Sequence, residues 1–392
     1  MERRLFSPNI CWILGAGASY DCLGTGEPCL PLTRDLLAGK DLSPDILNQF
    51  QHLKDQGLAF IDDGYGGLGA GLEDTIDRLR GLCDFNSEFA VLAAECLKGI
   101  THEISIQLTR NQLPIISGNA ELTNYLWLSR GCCVFPNWSV LTLNWDILLD
   151  YAFETWEQVE GLSAPEQYSS WWNCLQVLAN QDCTMDKEDT PPSYIKLHGS
   201  LGLFSCHNLK CPSYRIPFMD RPERRPGLDR AALSAFYFTV KPHSFANCPS
   251  CGEAAEELIL PPGKNKTQAE GLYQDMAYGI SERLLGRADI WIILGYSCPD
   301  YDEDVAKLLA RALKRAPLNA HDRWIWVVSP DAEETCRRLG KAFGYSGDAP
   351  VEVSDLGVET VYLGTISETF TSFVHYIRAV MENRKSRKED IP

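Results

Sequence analysis

Six short strand-like runs constrain this chain more than any other feature. They are ICWILG (10–15), WSVLTLN (138–144), SYIKLHG (193–199), DIWIILGY (289–296), RWIWVVS (323–329) and a run near 358–363. Most are continuously apolar rather than alternating, which is how strands buried on both faces read. Helical patterns separate them, at 268–287, 302–315, 331–343 and from 366 onward. That alternation predicts an α/β fold, a Rossmann-like parallel sheet with helices on both faces.

Two stretches interrupt the rhythm. Residues 33–131 are mostly helical in pattern; LEDTIDRLRGLC places Leu72, Ile76, Leu79 and Cys83 at helical spacing. Residues 203–260 lose periodicity and are rich in Pro, Arg and Cys. Both read as insertions into one domain spanning 1–385, followed by a charged tail at 386–392.

The net charge of −17, from 36 basic and 53 acidic side chains, excludes a wide basic surface for nucleic acid. An anionic ligand must then be held locally, by backbone N–H groups at a helix start. The opening MERRLFSPNICW is too short and polar for a signal peptide. No apolar run approaches the roughly 20 residues that span a bilayer. Of 15 cysteines, Cys96, Cys132, Cys133 and Cys298 sit in apolar segments, where a reduced thiol acts as a small hydrophobe. The expected compartment is the cytoplasm, with some thiols free for a metal.

Polar residues gather where the strands end. GAGAS (15–19) follows the first strand; Gly15 allows a sharp turn, Gly17 a close approach to a pyrophosphate, and Ser19 a further hydrogen bond. A dinucleotide dehydrogenase has a third glycine where this chain has Tyr20. Asn144 and Asp146 follow the second strand, His198 ends the third, Gly295 and Ser297 the fourth, and Ser329 the fifth. In an open parallel sheet, all of these fall on the ligand-binding edge. Asp146 is also an ordinary helix N-cap residue, and Asn144 an ordinary turn residue. Cys206 and Cys211, with Cys248 and Cys251 in CPSCG, fit a four-thiolate zinc ribbon; the wider first spacing leaves room for His207 as a substitute ligand.

In this order, GAGAS, TLNWD, KLHGS, four cysteines and GYS, the chain resembles the sirtuin superfamily over roughly residues 10–375. It looks most like the bacterial SIR2-like branch of antiviral NAD-consuming effectors, and LPPGKNK after the cysteines is similar to that branch. TLNWD has Leu143 where sirtuins have Gln; LPLTRDL, with Arg34 and Asp35, only partly matches a further segment; Ser329 stands where many relatives have Asn.

The resemblance implies hydrolysis of NAD+ to ADP-ribose and nicotinamide. Asn144 would orient a water or ribose hydroxyl, His198 would serve as general base, and Asp146 would fix Asn144 or stabilise charge. Gly15, Ala16, Gly17 and Ser19 would hold the pyrophosphate, with Gly295, Ser297 and Ser329 nearer the adenosine. Zinc would be structural. The competing readings are an NAD-dependent protein deacylase and a non-catalytic nucleotide-binding or scaffold module. Consecutive prolines in LPPGKNK suit the strand addition of a peptide substrate badly. With no sensor domain legible, control is expected from homo-oligomerisation or a partner, a HerA-type ATPase or an Argonaute-like protein. The 33–131 insertion would be a lid or contact surface, with Arg78 and Arg80 on its exposed faces.

Overall fold

The computed structural model describes residues 9–20, 22, 30, 44–55, 72–84, 89–117, 122–135, 137–153, 194–206, 208–214, 217–219, 247–261, 268–314, 324–344 and 358–359. Arg34, Asp35, His207, residues 262–266 of LPPGKNK, the helix expected from 366 and the tail lie outside them.

Strands β1 (Ile10–Leu14), β2 (Trp138–Thr142) and β3 (Tyr194–Lys196) form one half of a six-stranded sheet. The other half is β7 (Ile290–Leu294), β8 (Trp324–Val328) and β9 (Val358–Glu359). The order is β3-β2-β1-β7-β8-β9, and every pairing is parallel. Beyond β3 the chain returns to the centre, so the strand order reverses between β1 and β7. A crevice at such a reversal is where open α/β sheets place ligands.

The sheet has two buried faces because its strands are apolar at successive positions, and successive side chains point opposite ways. Ile10, Trp12, Leu14, Val140, Ile290, Ile292, Trp326 and Val328 enter one core; Cys11, Ile13, Leu141, Ile195, Trp291, Ile293, Ile325 and Val327 enter the other. The second core is closed by α6 (Gln268–Arg287), α7 (Glu303–Lys314) and α8 (Ala332–Ala342). In α7, Val305, Leu308, Leu309 and Ala312 supply the buried stripe. Glu303 and Asp304 open this helix and Arg311 and Lys314 close it, matching the helix dipole.

The first core is closed by the helical segment. It comprises α2 (Pro44–Asp55), α3 (Leu72–Asp84), α4 (Ala90–Ser117) and α5 (Thr123–Val134). Leu72, Ile76, Leu79, Ile100, Ile104 and Leu128 share one continuous apolar cluster with β1, β2, β7 and β8. This corrects the expectation of a lid: a module that swung away would expose that stripe to water. Arg80 is a second correction. It is 1% exposed, whereas Arg78 is exposed.

A second sheet begins directly after His198, ahead of the expected boundary at 203. It holds β4 (Gly199–Ser205), β5 (Pro217–Met219) and β6 (Glu256–Ile259), antiparallel in the order β5-β4-β6. Cys206, Cys211, Cys248 and Cys251 lie at its far end. No helix among the described residues is long and apolar enough to cross a membrane.

Candidate functional site

The first-strand turn and the fourth-strand turn are packed backbone to backbone. Gly17 N–H donates to the Gly295 carbonyl at 2.9 Å, and Gly15 N–H continues the ladder to Leu294. A Cβ on Gly15 would lie 2.6 Å from the Gly295 oxygen, and one on Gly295 2.2 Å from the Ala18 nitrogen. Gly295 also has φ +63°, the left-handed region that glycine enters without strain. The glycines are therefore required by this contact. The Gly17 N–H is already used within it.

The next shell is a compact polar cluster. Ser19, on the short helix α1 (Ala16–Tyr20), donates to the Asp146 Oδ2 at 2.6 Å. Its hydroxyl also lies 2.6 Å from the Tyr125 hydroxyl and accepts from Asn144 Nδ2 at 2.8 Å. Asp146 Oδ1 accepts the Leu148 N–H at 3.0 Å, so the N-cap role expected of Asp146 is met with its other oxygen. Burial pushes the Asp146 carboxyl up from its ordinary range; the Ser19 hydrogen bond and the Lys196 charge pull in the opposite direction.

Lys196 ties the neighbouring strand end to this cluster. Its buried ammonium pairs with Asp150 at 2.6 Å and donates to the Asp146 carbonyl and the Ser200 hydroxyl, each at 2.7 Å. A buried lysine with three such partners is satisfied; removing the Asp150 carboxylate would leave its charge uncompensated, and removing the Ser200 hydroxyl would leave an N–H without an acceptor. His198 sits between Lys196 and Ser200 in sequence, 5% exposed, with Nε2 3.7 Å from Asp302 Oδ1. Tyr296 donates to the other Asp302 oxygen at 3.3 Å. The Asp302 carboxylate therefore faces the imidazole edge from the loop after β7.

Ser19, Asn144 and Asp146 are thus joined by hydrogen bonds, and His198 ends the adjacent strand. Ser297 is exposed, and its carbonyl accepts from Arg338 of α8 at 3.3 Å. Ser329 accepts the Asp331 N–H at 3.3 Å, before α8. Both stand on the same sheet edge, but their recorded contacts tie them to α8 and its lead-in. Sequence reasoning missed Tyr125, Lys196 and Asp302. Asp302 alone carried a visible signal, as an acidic residue in the loop after GYS.

The helical layer reaches the site at further points. The Gln112 side chain of α4 accepts the Ile147 N–H at 2.9 Å. Ser105 donates to Glu257 of β6 at 2.5 Å, and Arg80 donates to the Pro261 carbonyl at 3.1 Å. Replacing Arg80 by alanine should destabilise the protein by about 2–4 kcal/mol, from lost packing and a broken buried hydrogen bond. Arg78→Ala should stay within about 0.5 kcal/mol of wild type. Denaturant midpoints at unchanged slope check both.

The cysteine cluster satisfies the geometry of a tetrahedral ion. The four sulfurs lie within 4.8 Å of one another, with Cys206–Cys251 at 3.7 Å and Cys211–Cys248 at 3.6 Å. A Zn–S bond of about 2.3 Å gives a tetrahedron edge of about 3.8 Å. Without a metal, burial pushes the Cys206 thiol up to about 12 and the Cys211 thiol up as well, while at Cys248 the Ser250 and Cys251 N–H groups and the Cys206 and Cys211 thiols outweigh burial and bring it to about 7. By donor type and spacing the set fits zinc, and four thiolates would leave no open position for catalysis.

No family model and no curated protein matches the sequence. Solved structures do. A Sir2 homologue in complex with NAD aligns with 95% of this chain and 90% of its own, at 13% identity and TM-score 0.42. A mutant Sir2 homologue in complex with 2'-O-acetyl ADP ribose aligns with 95% and 92%, also at 13% identity and TM-score 0.42. A Sir2 in complex with an inhibitor, 2'-O-acetyl-ADP-ribose and a deacetylated peptide covers 96% and 94%, at 13% and TM-score 0.36.

Proposed function

We propose that this chain is an NAD+ glycohydrolase, converting NAD+ and water to ADP-ribose, nicotinamide and a proton. The observation that carries the reading is the arrangement at the ends of β2 and β3. An amide held by its NH2 group, Asn144, and an imidazole facing a carboxylate, His198, follow the two strands on one side of β1, where the strand order reverses.

Departure of nicotinamide leaves an oxocarbenium-like ribose, as in glycoside hydrolysis. Asn144 accepts a hydrogen bond from the attacking water or a ribose hydroxyl, and His198 takes the proton released as water adds to the ribose carbon. Asp302 orients His198. Asp146 holds Ser19, and through it the Asn144 amide. Gly15, Ala16 and Gly17 line the pyrophosphate side, with Gly295, Ser297 and Ser329 toward the adenosine. Zinc, held by Cys206, Cys211, Cys248 and Cys251, supports the small sheet.

Protein deacylation is the competing outcome. A peptide substrate would add as a strand near residues 260–262, and there the Pro261 carbonyl already accepts from Arg80. Incubation with NAD+ and an acetylated peptide separates the possibilities. ADP-ribose and nicotinamide without deacetylated peptide support hydrolysis; peptide-dependent nicotinamide release supports deacylation; no turnover under any condition leaves a binding module.

The acid limb of kcat/KM should lie above the ordinary aspartate range. Ionised Asp146 can only accept, which fixes the Ser19 hydrogen on it; a protonated carboxyl can donate instead and upset the cluster, and burial raises its pKa, so activity is lost as pH falls through that raised value. A pH–rate profile whose acid limb lies at or below about 3.9 would contradict this.

Biologically, the reading is depletion of NAD+ in antiphage defence by abortive infection, with control through homo-oligomerisation or a partner such as a HerA-type ATPase or an Argonaute-like protein. Light scattering alongside specific activity over a concentration series tests the control. A monomer equally active throughout, and indifferent to any partner, would remove it.

A further inference from the structure

Counting protons in the polar cluster gives a more specific result. Ser19 has one hydroxyl hydrogen and two acceptor positions. Its 2.6 Å contact with the Asp146 carboxylate takes the hydrogen, because an ionised carboxylate only accepts. The 2.6 Å contact with Tyr125 must then be donated by the phenol. The remaining acceptor position of Ser19 receives the Asn144 NH2 group at 2.8 Å. The same NH2 group approaches the Tyr125 oxygen at 3.4 Å. Ser19 is saturated by these three partners. The Asn144 NH2 group is turned inward, which leaves its carbonyl oxygen to meet a ligand.

Tyr125 stands 106 residues from Ser19 in sequence, on α5 of the helical layer. It is 2% exposed, and burial together with the Asp146 charge keeps the phenol protonated well beyond the ordinary tyrosine range. Its hydrogen is therefore permanently available for donation.

We propose that Tyr125 is a positioning residue, whose phenol, through Ser19, sets the orientation of the Asn144 amide so that the amide carbonyl faces the substrate. The proposal rests on the NAD+ glycohydrolase reading for its effect on rate, but not for its effect on the amide. Without the phenol, Ser19 keeps one donor rather than two, the 3.4 Å contact is lost, and the amide can turn over.

The test is Tyr125→Phe, which removes the hydroxyl and preserves the ring that packs in the core. NAD+ turnover should show kcat lowered about tenfold with KM little changed, and a thermal midpoint lowered by about 2–4 °C at most, the cost of one buried hydrogen bond. The second readout needs no activity. In protein labelled with 15N-asparagine, the Asn144 side-chain NH2 pair is assigned by its disappearance in Asn144→Asp. In Tyr125→Phe these two signals should shift and exchange faster with solvent. Unmoved signals overturn the proposal, whatever the activity. Moved signals with unchanged kcat also overturn it, because the orientation would then not matter to turnover. If wild type never turns over NAD+, the functional reading fails, and the NH2 signals alone decide whether Tyr125 sets the amide.

Discussion

Alanine at Asn144 or at His198 should abolish NAD+ turnover, with a loss of about a thousandfold or more in kcat, while the fold survives. Loss of a positioned general base alone removes about 10²–10⁴ in rate. The Asn144 substitution removes both the carbonyl that meets the ligand and the NH2 group that binds Ser19. The fold should persist because the backbone bonds here do not depend on either side chain. Leu143 N–H still donates to Leu14, Leu197 N–H to Thr142, and Leu260 N–H to the His198 carbonyl. Product chromatography with far-UV circular dichroism on the same samples checks both halves. Near wild-type turnover in either variant would show that the reacting groups lie elsewhere.

The second large effect concerns the cysteines. Metal analysis should return about one zinc per chain, and stripping it should unfold the cysteine end of the small sheet while the six-stranded sheet remains. Among the described residues, that end has little else to hold it. Leu201, Leu203, Leu258 and Ile259 are anchored in the cores of the six-stranded sheet, whereas beyond the four-cysteine cluster the far end has the apolar pair Phe204 and Ala255. Ribbons of this size draw their folding free energy from the metal. Hydrogen exchange should show lost protection in β4 and β6, with β1 and β7 unchanged. Some loss will reach the site, since β4 starts next to His198 and Leu258 lies against Gly199. Purified protein with four free thiols and no zinc at these positions would refute the ribbon.

The strands were legible because double burial leaves no choice of residue. ICWIL, IWIIL and WIWVV are apolar throughout, and five-residue runs of that kind are short for helices. The strand-end positions of Asn144, Asp146 and His198 were legible for a related reason, since a polar residue after an apolar run marks where the strand stops. Tyr125 was hidden because a tyrosine on an amphipathic helix reads as one more apolar position. Its hydroxyl gains meaning only across a long sequence separation. Lys196 and Arg80 were hidden by the opposite bias. Charged side chains are rarely fully buried. Neither the Asp150 partner of Lys196 nor the Pro261 partner of Arg80 is near in sequence. The start of the small sheet was misplaced because GSLGL (199–203) mixes small and apolar residues without a clear period.

The central place of β1 carries a consequence for synthesis. This strand leaves the ribosome well before β7, yet β7 is one of its two neighbours. Asn9 and Asp289, hydrogen-bonded just before these strands, are 280 residues apart. At about 5–20 residues per second, translation leaves that side of β1 without its partner for roughly 15 to 60 s. An apolar strand with an unpaired edge is a template for wrong pairing. Overexpression should therefore yield aggregates seeded from residues 10–14, and slower translation or added chaperone should raise the soluble fraction more than any substitution at the site.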